Sequence, residues 1–299
     1  MVTDFIAVLA NPSAGRGRHR GLLPGVVEAL GTAGHDVRIL TAGSGIEAEE
    51  ACRAAVGDGA AAVVAVGGDG TVHRALQSVA GRPVGFGVVP AGTGNDFASA
   101  VGVPDDPMKA AEGIAVALRD GRDHRFDLAR TSGAHGERRW FGAVLAAGFD
   151  ALVNERANRM RRPAGPRRYD LAILLELVRL RARSYTVTLD GAEHTFAAEI
   201  VAVGNCASYG GGMRMLPDAD PADGLLDVVF AAPLGRLDLM RLKPRLRRGT
   251  HVRDPRVTVL RAREVRIAAE GIVAYADGER LGPLPVEVSC VPGAVRLLR

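Results

Sequence analysis

The chain has 299 residues, 47% hydrophobic and 24% charged, which is material for one large domain or two moderate ones; with aromatics at only 4%, the cores must rest on Val, Leu, Ile and Ala. A formal charge of +4 and an isoelectric point near 9.3 favour anionic ligands or surfaces without identifying one. No uncharged apolar run reaches about 18 residues, which argues against a membrane-spanning helix, and the three distant cysteines, Cys52, Cys206 and Cys290, lack metal-binding or redox spacing and read as reduced core thiols.

In chain order, residues 5–9 read as a buried strand, followed by the turn-rich Asn11, Pro12, Ser13, Ala14 and Gly15. The spacing of Leu22, Leu23, Val26, Val27 and Leu30 predicts a helix over 22–30. A strand over 35–40 ends at Thr41, and a helix covers 47–56. Residues 60–66 are small or branched and wholly apolar, the pattern of a strand buried on both faces. That run breaks into Gly67, Gly68, Asp69, Gly70 and Thr71, and a helix follows near Val72 with Val72, Ala75, Leu76 and Val79 on one face. Strand, glycine turn and helix start together suit a phosphate; a tight packing turn that happens to carry glycines is an equal alternative. A further strand over 83–89 ends in a second glycine loop, Pro90, Ala91, Gly92, Thr93, Gly94, Asn95, Asp96 and Phe97, before a helix over 108–118. Strands alternating with helices at this spacing imply a parallel sheet with ligands at its carboxyl ends, where all of these loops fall.

Beyond Phe126, Asp127 and Leu128 the texture changes. Strands are predicted over 141–146, 185–189, 195–203, 225–230, 257–260, 264–268 and 285–288, with one long helical candidate over 169–183. This is a β-rich second domain with a soft boundary near 127–132. The glycine run Gly210, Gly211 and Gly212 either lines a pocket or makes a turn. The start of the chain has no basic segment followed by a long apolar one, so no signal peptide is expected.

Neither a P-loop nor a dinucleotide-binding glycine fingerprint is present. Asp69 instead places a carboxylate among glycines, which beside a phosphate needs an intervening cation such as Mg2+, or else a hydrogen bond to a ribose or a backbone amide. Asp96 holds the matching position in the second loop. Each could be an ordinary turn or N-cap residue; two of them at neighbouring strand ends favour function.

Together, Asn11 to Gly15 (NPSAG), GGDGT, PAGTGND, Phe126-Asp127-Leu128 and Asp277-Gly278-Glu279 occur in the order found in the diacylglycerol kinase catalytic-domain family, and the chain resembles its bacterial lipid kinases, diacylglycerol and sphingosine kinase-like. The resemblance implies a three-layer α/β nucleotide-binding domain over 1–128, to which residues 291–299 return, and a β-sandwich over 129–290, with the active site in the cleft between them. It implies ATP contacts from Asn11, Pro12, Ser13, Ala14, Gly15, Thr41, Gly67, Gly68, Asp69, Gly70, Thr71, Val72, His73, Arg74, Thr93, Gly94 and Asn95, although His73 on its own reads as packing or capping. Asp69, Asp96 and Glu279 are the implied catalytic residues, Glu279 as general base on the acceptor hydroxyl. Asp220, Asp223 and the Leu225 carbonyl are the implied Mg2+ ligands. Without the resemblance, Asp277-Gly278-Glu279 reads as a hairpin turn and Asp220 and Asp223 as solvated loop acids.

The expected reaction is transfer of the γ-phosphate of ATP to a diacylglycerol-like lipid, by a cytoplasmic protein that touches the inner membrane face peripherally. Two basic stretches bear on that contact: Arg156, Arg159, Arg161, Arg162, Arg167 and Arg168, and then Arg236, Arg241, Lys243, Arg245, Arg247 and Arg248. A solvated surface is the bland reading of both; anionic lipid is the functional one. No nucleic-acid partner is expected, because aromatics are not interleaved with the basic residues, and a homodimer is compatible with the sequence. The alternatives are an NAD-kinase-like nucleotide kinase, disfavoured by the second glycine loop, and a non-catalytic nucleotide-binding regulator.

Overall fold

The uninterrupted apolar run Phe5–Ala10 forms strand β1, whose first five side chains are buried. The structure, a computed structural model, describes residues 4–10, 19–133, 137–160, 162 and 166–299. After β1 come α1 (His19–Gly31), β2 (Asp36–Leu40), α2 (Gly45–Gly57), β3 (Ala62–Gly67), α3 (Asp69–Val79), β4 (Gly85–Pro90), the short α4 (Asp96–Ala100) and α5 (Pro107–Arg119). β1 pairs in parallel with β2 and with β3, and β3 pairs in parallel with β4. Arg296, Leu297 and Leu298, from far along the chain, add in parallel beside β4. β2 is therefore an edge strand and largely exposed, whereas β3 and β4 are buried throughout.

Side-chain alternation divides the two faces of this sheet. Ile6, Val8, Ala62, Val64 and Val66 pack with Val26 and Leu30 of α1 and with Ala111 and Ile114 of α5. Helices α2 and α3 pack on each other and against β1 and β3. Ser44 caps α2 by accepting the Glu47 N–H, and Asp106 caps α5 by accepting those of Met108 and Lys109, with Pro107 at the first helical position. These elements, with residues 221–223 and 291–299, make the first of two compact units.

β5 (His124–Gly133) leads out of that unit; the second comprises residues 129–220 and 224–290. It contains β6 (Arg138–Phe141), β7 (Val144–Ala146), α6 (Phe149–Arg159), α7 (Pro166–Val178), β8 (Arg183–Leu189), β9 (Ala192–Ala198), β10 (Ile200–Gly204), β11 (Leu226–Ala231), α8 (Arg236–Arg248), a 3-10 turn (Thr250–Arg253), β12 (Val257–Ala262), β13 (Glu264–Ala268), β14 (Val273–Ala276), β15 (Glu279–Pro283) and the first part of β16 (Val286–Leu298). One antiparallel sheet runs in the order β12-β11-β10-β7-β14-β15. The other joins the start of β16 to β13, β8 and β9, again antiparallel. Leu145, Val201, Val203 and Leu226 of the first sheet meet Tyr185, Val187, Ile267 and Val288 of the second in a single core, so the unit is a β-sandwich.

Several boundaries differ from the sequence reading. The run 141–146 is interrupted at Gly142 and Ala143, and 195–203 is two strands in different sheets. The second break falls at Glu199, a buried carboxylate that accepts the Leu234 N–H at 2.8 Å as the chain changes sheet. The helix expected over 169–183 ends at Val178. Helices α6 and α8 are additions to the single long helix foreseen: α6 is dominated by polar residues, and α8 carries Pro244 in its interior, a residue that normally ends a helix. The strand expected over 285–288 continues to Leu298. Gly210, Gly211 and Gly212 all take left-handed φ and close a turn in which Tyr209 and Met213 exchange backbone hydrogen bonds, both of 3.0 Å.

Candidate active site

The carboxyl ends of β3 and β4 lie side by side, with Gly67 paired to Pro90. The loops that leave these two strands are held by close approach. The helix after GGDGT begins at Asp69, not near Val72, so Gly68 is its N-cap and Asp69, Gly70 and Thr71 already form its first turn. Gly68 has φ −100°, a conformation open to any residue; its glycine is demanded by contact instead. A Cβ on Gly92 would lie 2.4 Å from the Gly68 Cα, and one on Gly67 would lie 2.3 Å from the Thr71 Oγ1. The Ala91 N–H donates to the Gly67 carbonyl at 2.9 Å. The two glycine loops therefore touch backbone to backbone.

Asp69 ties them further. Its Oδ2 accepts the Asn95 N–H at 2.9 Å and its Oδ1 accepts the Asp96 N–H at 2.7 Å, so one carboxylate satisfies two amides at the start of α4. Asn95 takes the left-handed conformation, φ 55°, and its side-chain oxygen accepts the Gly92 N–H at 3.0 Å. Among the roles the sequence left open for Asp69, the hydrogen bond to backbone amides is present. Asp96 is buried at the first turn of α4.

The other residues named for ATP divide by exposure. Thr41, Gly70 and Thr93 are open to solvent at this edge, while Gly94 is half-buried. Thr71, Val72 and His73 are buried, and Arg74 donates to Glu49 at 2.6 Å across the α2–α3 contact. Asn11, Pro12, Ser13, Ala14 and Gly15 lie outside the described residues.

In the second unit, Asp277 and Gly278 are the two-residue loop of the β14–β15 hairpin, at φ 50° and 83°, the left-handed pair that an Asp-Gly turn favours. The hairpin reading and the motif reading thus describe one feature. The Asp277 carboxylate accepts backbone N–H groups from Gly142 and Ala143, both at 2.9 Å, and from Val144 at 3.3 Å. From the other side the Gly142 carbonyl accepts from Asn205 Nδ2 at 3.1 Å and from Cys206 Sγ at 3.0 Å. Glu279, half-buried, opens β15 immediately after the turn.

Next to it, Arg280 stands opposite Tyr275 in the ladder, and both donate to one oxygen of Glu155, at 3.0 and 2.6 Å. Arg159 donates to the other oxygen at 2.6 Å. These donors hold the Glu155 carboxyl below its usual range although desolvation pushes the other way. Sequence reasoning missed Glu155 and Tyr275, since nothing local marks a helix acid and a strand tyrosine 120 positions apart as partners.

Asp220 and Asp223 are exposed, and Gly224 between Asp223 and Leu225 takes a left-handed φ of 76°. In the first unit the Pro221 carbonyl accepts the Asp127 N–H at 2.7 Å, and the buried Asp127 carboxylate accepts the Gly293 N–H at 2.8 Å, which gives the Phe-Asp-Leu motif a structural task. Among the described residues no group of three or more His, Cys, Asp or Glu side chains is gathered for a metal. Of the basic stretches, Arg156 pairs with Glu176 and Arg245 with Asp254; Arg161 lies outside the described residues.

Comparison with known proteins places the chain by family and fold. Residues 6–131 match the model of the diacylglycerol kinase catalytic domain, and residues 143–299 match that of the YegS C-terminal NAD kinase beta sandwich-like domain. A diacylglycerol kinase of Mycobacterium tuberculosis is 43% identical over 295 residues, 98% of this chain and 94% of that protein. A Stenotrophomonas maltophilia protein named as a probable YegS-like lipid kinase is 29% identical, over 84% of this chain and 82% of its own length. A crystal structure of a diacylglycerol kinase from Bacillus anthracis superposes with a TM-score of 0.72 at 21% identity, over 99% of this chain and 97% of that one, and so shares the fold. No helix among the described residues is long and apolar enough to cross a membrane. On the motifs, the two matched models and the near full-length identity, the chain belongs to the diacylglycerol kinase catalytic-domain family and is a lipid kinase.

Proposed function

We propose that this kinase transfers the γ-phosphate of ATP, with Mg2+, to the hydroxyl of a diacylglycerol-like lipid. The observation that carries the reading is the contact of the two glycine loops at the carboxyl edge of β3 and β4, locked by Asp69. A phosphate suits this edge because the first turn of α3 presents N–H groups and the positive end of the helix dipole. Asp220, Asp223 and the Leu225 carbonyl are an all-oxygen donor set, the chemistry a hard cation prefers. Mg2+ bound with ATP offsets charge on the β and γ oxygens, and phosphoryl transfer otherwise asks the protein mainly for positioning and a proton acceptor.

Glu279 is the residue we assign to that proton. It sits beside a turn pinned by three hydrogen bonds to Asp277, so its backbone is fixed before a substrate arrives. Replacing it by glutamine keeps the size and removes the base. Glu279→Gln should lower turnover by roughly 10²–10⁴-fold with ATP affinity nearly unchanged. Normal turnover in that variant would exclude Glu279 as base. The substrate itself is tested by incubating purified protein with ATP-Mg2+, a mixed lipid extract and NAD, and weighing the products by mass spectrometry. Phosphorylated diacylglycerol supports the proposal, another phosphorylated lipid moves the acceptor, and phosphorylated dinucleotide overturns it. Peripheral contact with the inner membrane face belongs to the same proposal, because the acceptor resides in a bilayer.

A further inference from the structure

The second unit contains a cavity of about 480 Å³ whose lining includes none of the residues assigned to the reaction. Its size lies within the ~300–1,000 Å³ typical of small-molecule sites. Where α7 gives way to β8, the sequence reads Arg179-Leu180-Arg181-Ala182-Arg183, and all three arginines line the space. Arg179 and Arg181 are solvent-exposed and mark the mouth. Arg183 reaches further in: its Nε–H is buried and has no partner, and one terminal nitrogen makes only a 3.3 Å bond to the Glu270 carbonyl. Among the described residues none of the three is paired with a carboxylate.

The remaining charges do not cancel them. Arg156 and Glu176, also in the lining, neutralise each other. Glu199 is engaged by the Leu234 N–H, and burial pushes its carboxyl towards the neutral form. The rest of the wall is apolar, with Phe149, Leu152 and Ile272 contributing, the last fully buried.

We propose that this cavity binds a single anionic amphiphile, its phosphomonoester headgroup on Arg179, Arg181 and Arg183 and its apolar tail over Phe149, Leu152 and Ile272. A guanidinium offers a planar fork of donors matched to phosphate oxygens, and three arginines line this one cavity. A buried N–H without an acceptor is costly, and turning the Arg183 guanidinium onto a phosphate oxygen in the cavity would relieve it. A free anion would leave the apolar wall unused, and a neutral lipid would leave the arginines unused. A lipid phosphomonoester is also the chemical class the proposed reaction makes, yet the binding claim stands whether or not Glu279 is the base, because its test requires no turnover.

The test is calorimetric titration of the full chain with dihexanoyl phosphatidic acid below its micellar concentration, with dihexanoyl glycerol, and with inorganic phosphate. The phosphatidic acid should bind one per chain, at least tenfold more tightly than either control. Arg181→Glu, on an exposed side chain that folding does not require, should weaken it tenfold or more, and Arg183→Gln likewise. Leu152→Trp, which fills the apolar end, should weaken the phosphatidic acid and leave any phosphate binding unchanged. The proposal is overturned by the absence of saturable binding, by equal affinity for inorganic phosphate or for the neutral lipid, or by full affinity in Arg181→Glu.

Discussion

One carboxylate, that of Asp69, joins its own loop to the next by accepting the consecutive backbone amides 26 and 27 positions further on. Removing it leaves two N–H groups of α4 without that acceptor, so Asp69→Ala should cost roughly 1–3 kcal/mol. Gly92 tests the same junction sterically. An added methyl would meet the Gly68 backbone at 2.4 Å, where no flexible side chain can yield. Gly92→Ala should therefore destabilise by about 1–3 kcal/mol through overpacking and weaken ATP binding, as read by urea unfolding and by titration with nucleotide; unchanged values in both would remove the loop contact from the nucleotide site. Gly34→Ala, at another glycine with open space around it but a φ of 84°, offers a control for backbone strain away from the site.

At the scale of elements, the β14–β15 hairpin supports the candidate base. Successive strand residues face opposite ways, so fixing Arg280 on Glu155 directs Glu279 to the other face of β15. Arg280→Ala or Tyr275→Phe should lower kcat by roughly tenfold to a hundredfold, the cost of a loosened reacting group, while KM for ATP stays unchanged. Equal kcat in both variants, with Glu279→Gln inactive, would leave Glu279 positioned by Asp277 alone. The strands of the first unit were legible because β1, β3 and β4 are unbroken apolar runs punctuated by Gly, Pro and Asn. The GGDGT and PAGTGND loops stood out for the same reason. What local pattern could not convey was who holds whom: Asp277 acts on Gly142, 135 positions earlier, and Glu199 breaks a strand because its partner is Leu234. Helix α8 escaped because Pro244 outweighs its apolar spacing when neighbours are unknown.

For the molecule as a whole, buried acids set how stability follows pH. Asp227 is pushed up from 3.8 to about 6, first by desolvation and then by the negative charge of Asp218, even with Arg261 at 3.5 Å. Its folded state binds the proton more tightly than the unfolded chain, so unfolding free energy should fall as pH rises from about 4 through 6 and then level. Asp150 and Glu199, also raised by burial, act in the same direction. Asp254 acts the other way: hydrogen bonds from Arg256 and then Arg245 hold it low, and its contribution is lost only as pH drops below about 4. Urea midpoints compared at pH 4.5 and 7 should differ less in Asp227→Asn than in the parent chain; an equal difference would assign the slope to the other acids.

The residues that complete the first sheet, 296–298, bear on how the protein is made. During synthesis β4 is finished some 200 residues before its neighbour on that side leaves the ribosome. At roughly 5–20 residues per second, that is a wait of about 10–40 s. Throughout it, a wholly apolar strand presents an open row of N–H and C=O groups, the kind of edge that invites pairing with another chain. The first sheet is therefore completed only once residues 296–298 have been made, and until then its β4 edge has to be kept from pairing elsewhere.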